Sequence, residues 1–313
     1  MASLKGQVTY CLNSLQAYGS SRRQALRQGT AEQSIYSFRT MQTYCQLNVT
    51  FAEWCQDEHG ARRLGDITPA MAEAFVASLR ERALSPATIN TYVCAIKKLD
   101  TGLRKLGWRR RNAEPFVLEF AGRSADAVPN PYSPENAEQL IAGLHKIDPQ
   151  YGQVARLQRV SGLRVSEAVH LQAELIALDG SWVTLQGSGI HTKGGRPRRV
   201  PILPRHQPLL VQLRAQGLAH LDLHVFQQRQ SLTAAVKRAT SRLVARLNIQ
   251  IGDGTHSLRK LYANELYQYL RHEKAMSDGE ARQVVSQALG HNRLDVLKAY
   301  LAEVTISDPG HRA

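Results

Sequence analysis

The sequence lacks any hydrophobic run that approaches the roughly eighteen residues of a membrane span, although hydrophobic residues make up 43% of its 313 positions. Its first residues, MASLKGQVTY, also lack the apolar stretch of a secretory signal. These absences argue against an integral membrane protein and against a secreted one. We therefore expect a cytoplasmic protein without a membrane partner.

Cysteine is scarce and is not arranged in close pairs. The four cysteines lie in the first third of the chain without a CxxC spacing; they are Cys11, Cys45, Cys55 and Cys94. Zinc sites and redox-active dithiols use such pairs, and cytosolic proteins rarely contain disulfides. We therefore expect buried, reduced thiols and no metal site. The sequence also lacks internal repeats and low-complexity tracts.

Acidic residues are too few to balance the basic ones. Forty Lys and Arg stand against 26 Asp and Glu, which gives a net charge of +14. When the chain is divided at residue 125, the first part has 17 basic and 10 acidic residues and the second has 23 and 16, so each carries +7. This even charge is typical of two domains that grip one polyanion, although a merely soluble basic enzyme has the same balance.

Apolar residues recur at three- or four-residue steps through the first part of the chain, which predicts helices. The predicted helices cover residues 5–27, 34–54 and 69–80, and a fourth begins with Ser85 as N-cap and Pro86 as first helical residue. Basic residues of the fourth helix either form a solvated face or contact DNA phosphates; they are Lys97, Lys98, Arg104 and Lys105.

The stretch AGRSADAVPNPYSP contains three prolines and no periodicity. It predicts a linker over residues 123–133, between an N-terminal domain of residues 1–122 and a C-terminal domain of residues 134–313. In the second domain, helical stretches flank a β-rich patch formed by SWVTLQ, a glycine-rich turn and RRVPI. The predicted fold class is mainly α with a small β-sheet.

The motif VSGLRVSEAVHL contains an arginine at a helix start. Arg164 stands where one predicted helix ends and the next begins, and Glu167 follows three residues later on the same face. An arginine in this position can offer a bidentate fork to phosphate oxygens. The alternative is an Arg–Glu surface pair, which is common and weak.

Two further motifs add a lysine, a histidine and a second arginine. HTKGGRPRRVPI predicts a β-hairpin with Lys193 near its tip, where most lysines have no role and a few swing onto a ligand. In DGTHSLRKLYANELY, Thr255 or Asp253 caps a helix, with His256 in its first turn and Arg259 on the same side. Helix N-termini attract anions, so this pair is a candidate phosphate site; the alternative is a capping histidine beside a surface arginine.

The last motif is LGHNRLDVLKAYL, in which His291 precedes Tyr300 by nine residues. The predicted helix has an apolar stripe that comprises Leu294, Leu297, Leu301 and Val304. Tyr300 lies at the border of this stripe. On this pattern alone, it is a core aromatic.

In this order, the four motifs resemble those of the tyrosine recombinase (phage integrase) family. SGLRVSEA resembles its first arginine motif, TKGGRPRRVPI its hairpin lysine segment, HSLRKLYANEL its His-x-x-Arg motif and LGHNRLDVLKAY the motif that ends in the nucleophilic tyrosine. The resemblance implies six catalytic residues, which are Arg164, Lys193, His256, Arg259, His291 and Tyr300. It also implies that Glu167 supports the site.

The first 120 or so residues resemble the family's helical, SAM-like core-binding domain, most clearly in ITPAMAEAFVASLRERALSPATINTYVCAIKKL. The resemblance implies that this domain and the catalytic domain close around duplex DNA as a clamp. It further implies a double-stranded recombination site as partner, a homotetramer on two duplexes, accessory DNA-bending proteins, and a protein associated with the nucleoid when bound to DNA. No cofactor is implied.

The implied reaction is DNA strand cleavage without water. Tyr300 would attack the scissile phosphate and form a 3′-phosphotyrosyl link, while the two arginines hold the non-bridging oxygens. Lys193 would protonate the leaving 5′-oxygen, and both histidines would bind the phosphate, with His256 also a candidate acceptor of the tyrosine proton. The covalent link conserves the bond energy, so neither ATP nor metal is required.

One departure from the compact members of the family is a longer segment between Arg259 and His291, centred on LRHEKAMSDGEAR. Such spacers resemble those of mobile-element integrases rather than those of chromosome-dimer resolvases.

The alternatives to a site-specific recombinase are a type IB topoisomerase with the same chemistry and a catalytically silent DNA-binding relative. A plain helical DNA-binding module would leave Lys193 and Tyr300 unexplained.

Overall fold

The fold is known from a computed structural model, which describes residues 3–109, 112–122, 131–186, 197–216, 226–249, 254–291, 294, 297, 300 and 301. The chain divides into two compact units, Met1–Asp126 and Ala127–Ala313. Residues 123–130 of the predicted linker lie outside the described residues. Helices and a single two-stranded sheet make up the described regular structure, which confirms the predicted fold class.

The described part of the first unit is helical. Its helices are α1 (Leu4–Asn13), α2 (Arg22–Arg27), α3 (Phe38–His59), α4 (Pro69–Glu81) and α5 (Pro86–Lys105). Thr68 and Ser85 cap α4 and α5, and each cap side chain accepts an N–H from the first turn, ahead of a proline that needs no partner. Each such cap stabilises a helix by about 1 kcal/mol. The start of α5 at Pro86 is as predicted.

The prediction of one helix over residues 5–27 is wrong. The chain leaves the helical path after Asn13, turns at Gly19, whose φ is +81°, and re-enters a helix at Arg22. Between the two helices, Gln16 forms a parallel bridge with Ile35, and the Ile35 amide donates to the Leu15 carbonyl at 2.7 Å. This pairing with a distant segment replaces the helical hydrogen bonds that the apolar spacing predicts.

The described part of the second unit contains α-helices and one pair of short strands. The elements are α6 (Pro134–Ile147), α7 (Pro149–Ser161), α8 (Val165–Val169), β1 (Trp182–Leu185), β2 (Arg198–Pro201), α9 (Gln207–Ala215), α10 (Phe226–Arg246), α11 (Thr255–His272) and α12 (Asp278–Ala288). The strands pair antiparallel, with Val183 opposite Val200. Lys193 belongs to the connection between them and lies outside the described residues.

The turn between α7 and α8 fixes the position of Arg164. Gly162 ends α7 with a φ of +59°, and a Cβ at this position would lie 2.2 Å from the ring of Tyr262 on α11. Only glycine therefore fits against the buried helix α11. The turn starts α8 with Arg164 as its N-cap residue and Glu167 in its first turn.

The segment that contains the longer spacer forms the junction of α11 and α12. Helix α11 ends at His272, and α12 begins after the N-cap Ser277, whose side chain and that of Glu280 cap each other's backbone amides. In the described part of the chain, no helix has both the length and the hydrophobicity needed to cross a membrane.

Candidate active site

The predicted catalytic residues within the described part of the chain come together in the second unit. The ring centroid of Tyr300 lies 5.3 Å from that of His256 and 5.2 Å from that of His291. The guanidinium carbon of Arg259 lies 5.8 Å from the same ring. Arg164 joins this group through Glu167. Lys193 lies outside the described residues, so its place in the site stays a prediction.

Glu167 is the ionic centre of the site and is completely buried. Its oxygens accept hydrogen bonds at 2.8 Å from both the backbone and the guanidinium of Arg164. The guanidinium of Arg259 lies 3.9 Å away. Burial tends to raise the pKa of Glu167, but hydrogen bonds and charges from Arg198 and Arg164 outweigh it and hold the pKa below its ordinary value. Glu167 is therefore a buried carboxylate, which excludes the surface-pair alternative.

Arg259 lies beneath Tyr300 rather than on the surface. Its side chain is fully buried, and its two terminal nitrogens donate to the carbonyls of Gly162 and Leu289. Burial first, and then the charge of Arg164, lowers its pKa to about 10. It stays a cation at neutral pH, under the tyrosine ring. The alternative of a surface arginine is wrong for this residue.

The N-terminus of α11 differs from the prediction in its cap. Gly254 is the N-cap residue, and Thr255 is the first residue of the helix. A glycine cap offers no side-chain acceptor, and the Ser257 amide donates instead to the Gly254 carbonyl at 3.3 Å. His256 lies in this first turn as predicted. Asp253 lies outside the described residues.

His291 is held by α12 and contacts the tyrosine hydroxyl. Its amide donates to the Ser286 carbonyl at 2.8 Å, and the Ser286 hydroxyl donates to the His291 carbonyl at 2.9 Å. Its Nε2 lies 3.1 Å from the Oη of Tyr300. Burial, and then the positive charges of Arg259 and Arg164, lowers the pKa of His291 to about 4. At neutral pH this ring is uncharged, and its lowered pKa makes it a weak base as long as no bound anion offsets Arg259 and Arg164.

Tyr300 is only 6% exposed, which agrees with its expected place beside a core. The Asn264 amide donates to its carbonyl at 2.6 Å. Leu297 and Leu301 are buried with it, but Leu294 is 51% exposed. The predicted apolar stripe is therefore wrong at Leu294, and Val304 lies outside the described residues.

Arg198 belongs to the site although no role was predicted for it. Its guanidinium donates to both oxygens of Glu167, at 3.0 and 2.6 Å, and its Nε donates to the Ala288 carbonyl at 3.0 Å. A signal existed in the sequence, because alternate residues of a strand share a face and Arg198 alternates with the apolar Val200. An arginine directed towards a core requires a partner.

A basic surface adjoins the site. Helix α10 contains no acidic residue, and its exposed side chains include Lys237, Arg238, Arg242 and Arg246. A groove of about 410 Å³ runs from this face to the catalytic group. Its lining includes Lys237 and Ser241 of α10 together with Arg164 and His256. Such a concentration of donors suits a chain of phosphates.

The basic residues predicted as DNA contacts in the first unit have internal partners. Lys98 is buried and its Nζ donates to the Glu32 carbonyl at 2.5 Å. Arg104 donates to Asp100 at 3.0 Å. The remaining two contacts are Lys105 to the Ser14 carbonyl and Lys97 over the Phe120 ring. Phosphate binding by these residues stays a prediction, which the internal contacts of Lys98 and Arg104 do not favour.

Two of the four cysteines that were predicted to be buried are fully buried. Cys11 and Cys55 are buried, and burial raises the pKa of each to about 12, so both are unreactive at neutral pH. Cys45 and Cys94 are half-buried. Within the described ranges, no cluster of His, Cys, Asp and Glu side chains is arranged to hold a metal ion.

Comparison with known proteins gives matches over both units. A family model described as "Phage integrase, N-terminal SAM-like domain" matches residues 23–101, and one described as "Integrase" matches residues 120–265. The chain is 25% identical to the tyrosine recombinase XerC of Mesorhizobium japonicum over 257 residues, which covers 79% of this chain and 78% of that protein. It is also 25% identical to XerC of Neisseria gonorrhoeae, over 88% of this chain and 87% of the relative.

Solved structures with the same fold include XerH bound to a palindromic difH substrate in a post-cleavage complex, with a TM-score of 0.59 at 18% identity over 96% of this chain and 90% of that one. The integrase of the transposon Tn1549 in complex with transposon right-end DNA has a TM-score of 0.53 at 16% identity over 96% of both chains. These matches confirm the predicted combination of a SAM-like helical domain and an integrase catalytic domain.

Proposed function

The chain belongs to the tyrosine recombinase (phage integrase) family, and from this premise we propose that it is a site-specific recombinase that cleaves and rejoins DNA through a 3′-phosphotyrosyl intermediate. The observation that carries the proposal is the surroundings of Tyr300. Its hydroxyl lies 3.1 Å from a neutral histidine, His291, and its ring lies over the buried cation of Arg259. Cationic surroundings and a proton acceptor are what a phosphate-attacking tyrosine requires.

Proton transfer explains why His291 is next to the tyrosine. The free phenol has a pKa of about 10, so only about a thousandth is ionised at neutral pH. In the proposed step, the Oη–phosphorus bond forms as the bond to the 5′-oxygen breaks, and the phenol proton passes to Nε2 of His291. The family resemblance made His256 a candidate acceptor. The contact of 3.1 Å with the hydroxyl is the reason for proposing His291, and His256 keeps the proposed role of a phosphate ligand.

The arginines supply the charge that the transition state needs. Arg164 is the more accessible of the two, since 20% of its side chain is exposed at the edge of the groove. Arg259 is covered by the ring of Tyr300, so the tyrosine has to move for a phosphate to reach that guanidinium. Lys193 remains the proposed general acid for the 5′-oxygen. The phosphotyrosyl bond conserves the energy of the phosphodiester, so the reaction needs neither ATP nor a metal ion.

The proposed partner is duplex DNA that carries a recombination site. The support is the acid-free face of α10, the groove beside Arg164 and the net charge of +14. The related XerH and Tn1549 integrase were solved with their DNA sites. On the family resemblance we further propose a homotetramer on two duplexes, accessory DNA-bending proteins, and a place in the cytoplasm on the nucleoid. The long spacing between Arg259 and His291 in the sequence favours a mobile-element integrase over a chromosome-dimer resolvase.

The experiment that tests the proposal maps covalent attachment. Purified protein is incubated with DNA fragments that flank its gene, and protein-linked 3′-ends are captured after denaturation and sequenced. We expect attachment at discrete DNA sites, and peptide mapping of the linked protein should identify Tyr300 as the attached residue. Relaxation of plasmids that lack such a site would favour a topoisomerase instead. Complete absence of linked DNA, with binding intact, would favour a silent relative.

A further inference from the structure

Arg198 joins parts of the second unit that are far apart in the sequence. It is the first residue of β2, and only 8% of its side chain is exposed. All three guanidinium nitrogens are occupied, two by the Glu167 carboxylate and the third by the carbonyl of Ala288. Ala288 is the last residue of α12, which leads directly into His291. One side chain thus links the hairpin, α8 and the end of α12.

Each group that Arg198 contacts either bonds to a predicted catalytic residue or lies within three residues of one in the sequence. Glu167 accepts hydrogen bonds from Arg164 and lies 3.9 Å from Arg259. Leu289, next to Ala288, accepts a hydrogen bond from Arg259. His291 follows two residues later and lies beside Tyr300. Among the hydrogen bonds of the described residues, those of Arg198 go to Glu167 and Ala288. It therefore acts on the catalytic residues through these groups and through its charge, which lowers the pKa of His291.

Gly290 shows how closely the chain passes the guanidinium. Its φ is +68°, and a Cβ at this position would lie 3.0 Å from Nη1 and 3.2 Å from Cδ of Arg198. The backbone that leads to His291 therefore packs against the side chain of Arg198. Movement of the guanidinium would change the path of this segment.

We infer that Arg198 is a positioning residue, whose planar fork sets Glu167 and the end of α12 in the arrangement that aligns Arg164 and His291 for strand cleavage. The inference rests on the proposed function for its effect on cleavage. A lysine keeps the charge but concentrates it on one nitrogen, so it is unable to bind both carboxylate oxygens and the carbonyl in one plane. Lysine at this position is thus a test of geometry rather than of charge.

The same unit contains a matched control. Arg159 donates to both oxygens of Glu265, at 2.5 and 2.6 Å, and this pair is also largely buried. Among the hydrogen bonds and ion pairs of the described residues, neither partner is joined to a predicted catalytic residue; the second cation on Glu265 is Arg205. R159K therefore reproduces the loss of a buried bidentate pair without loosening Glu167 or the end of α12. Its link to the site is indirect, because Asn264, next to Glu265, donates to the backbone carbonyl of Tyr300.

The test compares R198K and R159K with the wild-type full-length chain. Thermal unfolding, affinity for a nicked duplex that carries the mapped attachment site, and the single-turnover rate of covalent cleavage are measured for each. We expect similar losses of thermal stability and unchanged affinity. Only R198K should lower the cleavage rate, by roughly tenfold to a hundredfold, because small misplacements of catalytic groups have effects of this size. Equal rates for R198K and R159K would overturn the inference.

Two further measurements keep the inference testable if a variant folds poorly or if the wild type forms no adduct. R198Q leaves Glu167 bonded to Arg164 and 3.9 Å from Arg259, so it leaves no unpaired buried ion. It should fold and should cleave slowly, and wild-type cleavage by it would refute the positioning role. Histidine NMR without DNA should detect a displaced His291 resonance in R198K but not in R159K. An unmoved resonance would refute the inference independently of activity, whereas a missing wild-type adduct would count only against the proposed function.

Discussion

The two units each bury a carboxylate between arginines, and they use it differently. In the first unit, Asp100 accepts hydrogen bonds from Arg104 and Arg109 and from the Phe116 amide. In the second, Glu167 is bound by Arg164 and Arg198, with Arg259 at 3.9 Å. Both carboxylates are almost completely shielded from solvent, so the chemistry of the two ion clusters is alike.

The difference lies in where the remaining donors of the arginines go. Around Asp100 they go to the carbonyls of Ala113 and Glu114, so the cluster fastens the segment after α5 onto that helix. Around Glu167 the arginines lie beside residues of α11 and of the segment after α12. A buried ion cluster is therefore a site only when its cations border groups that are able to react.

The largest expected effect is complete loss of covalent attachment in Tyr300→Phe, because the attacking oxygen is removed while the ring that packs on Arg259 is kept. DNA binding should persist. Attachment is measured on a nicked duplex of the mapped site by denaturing electrophoresis, beside Tyr262→Phe as a control in the same helix bundle, which should still form the adduct. A covalent adduct from Tyr300→Phe would eliminate this residue as the nucleophile.

A large effect on stability alone is expected from Asp100→Asn. The change leaves the buried guanidinium of Arg109 without a counter-ion, which costs about 3–5 kcal/mol in free energy of unfolding. Urea unfolding followed by the fluorescence of Trp54 and Trp108, in a Trp182→Phe background, reports on the first unit. Below the unfolding transition, the rate of DNA cleavage should stay close to that of the parent protein. A selective loss of cleavage would remove the distinction between the two clusters.

Arg164 and Arg104 allow a direct comparison between the clusters, because each is a partly exposed arginine on a buried carboxylate. Arg164→Ala should lower the rate of covalent cleavage by about a hundredfold or more, since the loss of one donor to a developing anion has this effect. Arg104→Ala should leave the rate within about twofold. Single-turnover rates at saturating DNA separate this effect from affinity. Equal losses in the two variants would contradict a special role for the Glu167 cluster.

Local signals in the sequence predicted much of the fold. Ser85 followed by Pro86 correctly predicts the start of α5, because the cap and the proline act within one turn. The break between α1 and α2 was not predictable in this way, since it depends on pairing of Gln16 with Ile35. The spacing of Leu294 likewise predicted burial that the structure does not have.

The candidate residues for the site were predictable from the sequence, but their arrangement was not. The order of the motifs predicts that Arg164, Arg259, His291 and Tyr300 belong to one site, and the structure brings them close together. The role of Arg198 depends on α8 and the end of α12 meeting β2, which no local pattern contains. The contact of 3.1 Å between His291 and the tyrosine hydroxyl is likewise a property of the fold that no local pattern contains.

A smaller effect, on the pH dependence of stability, distinguishes the two units further. The pKa of His291 is about 4 in the folded chain and about 6.5 when exposed. Between these values the unfolded chain binds a proton that the folded chain does not, so the free energy of unfolding of the second unit falls as the pH falls through this range. His206, whose pKa is also lowered to about 4, acts in the same direction. His291→Gln should therefore reduce the slope of unfolding free energy against pH without abolishing it. The first unit has one histidine, the exposed His59, so the slope that arises from buried histidines belongs to the second unit. Urea titrations across this range measure the slope, with the fluorescence of Trp182 reporting on the second unit and that of Trp54 and Trp108 on the first. Equal slopes for His291→Gln and the wild type would contradict a buried, neutral His291.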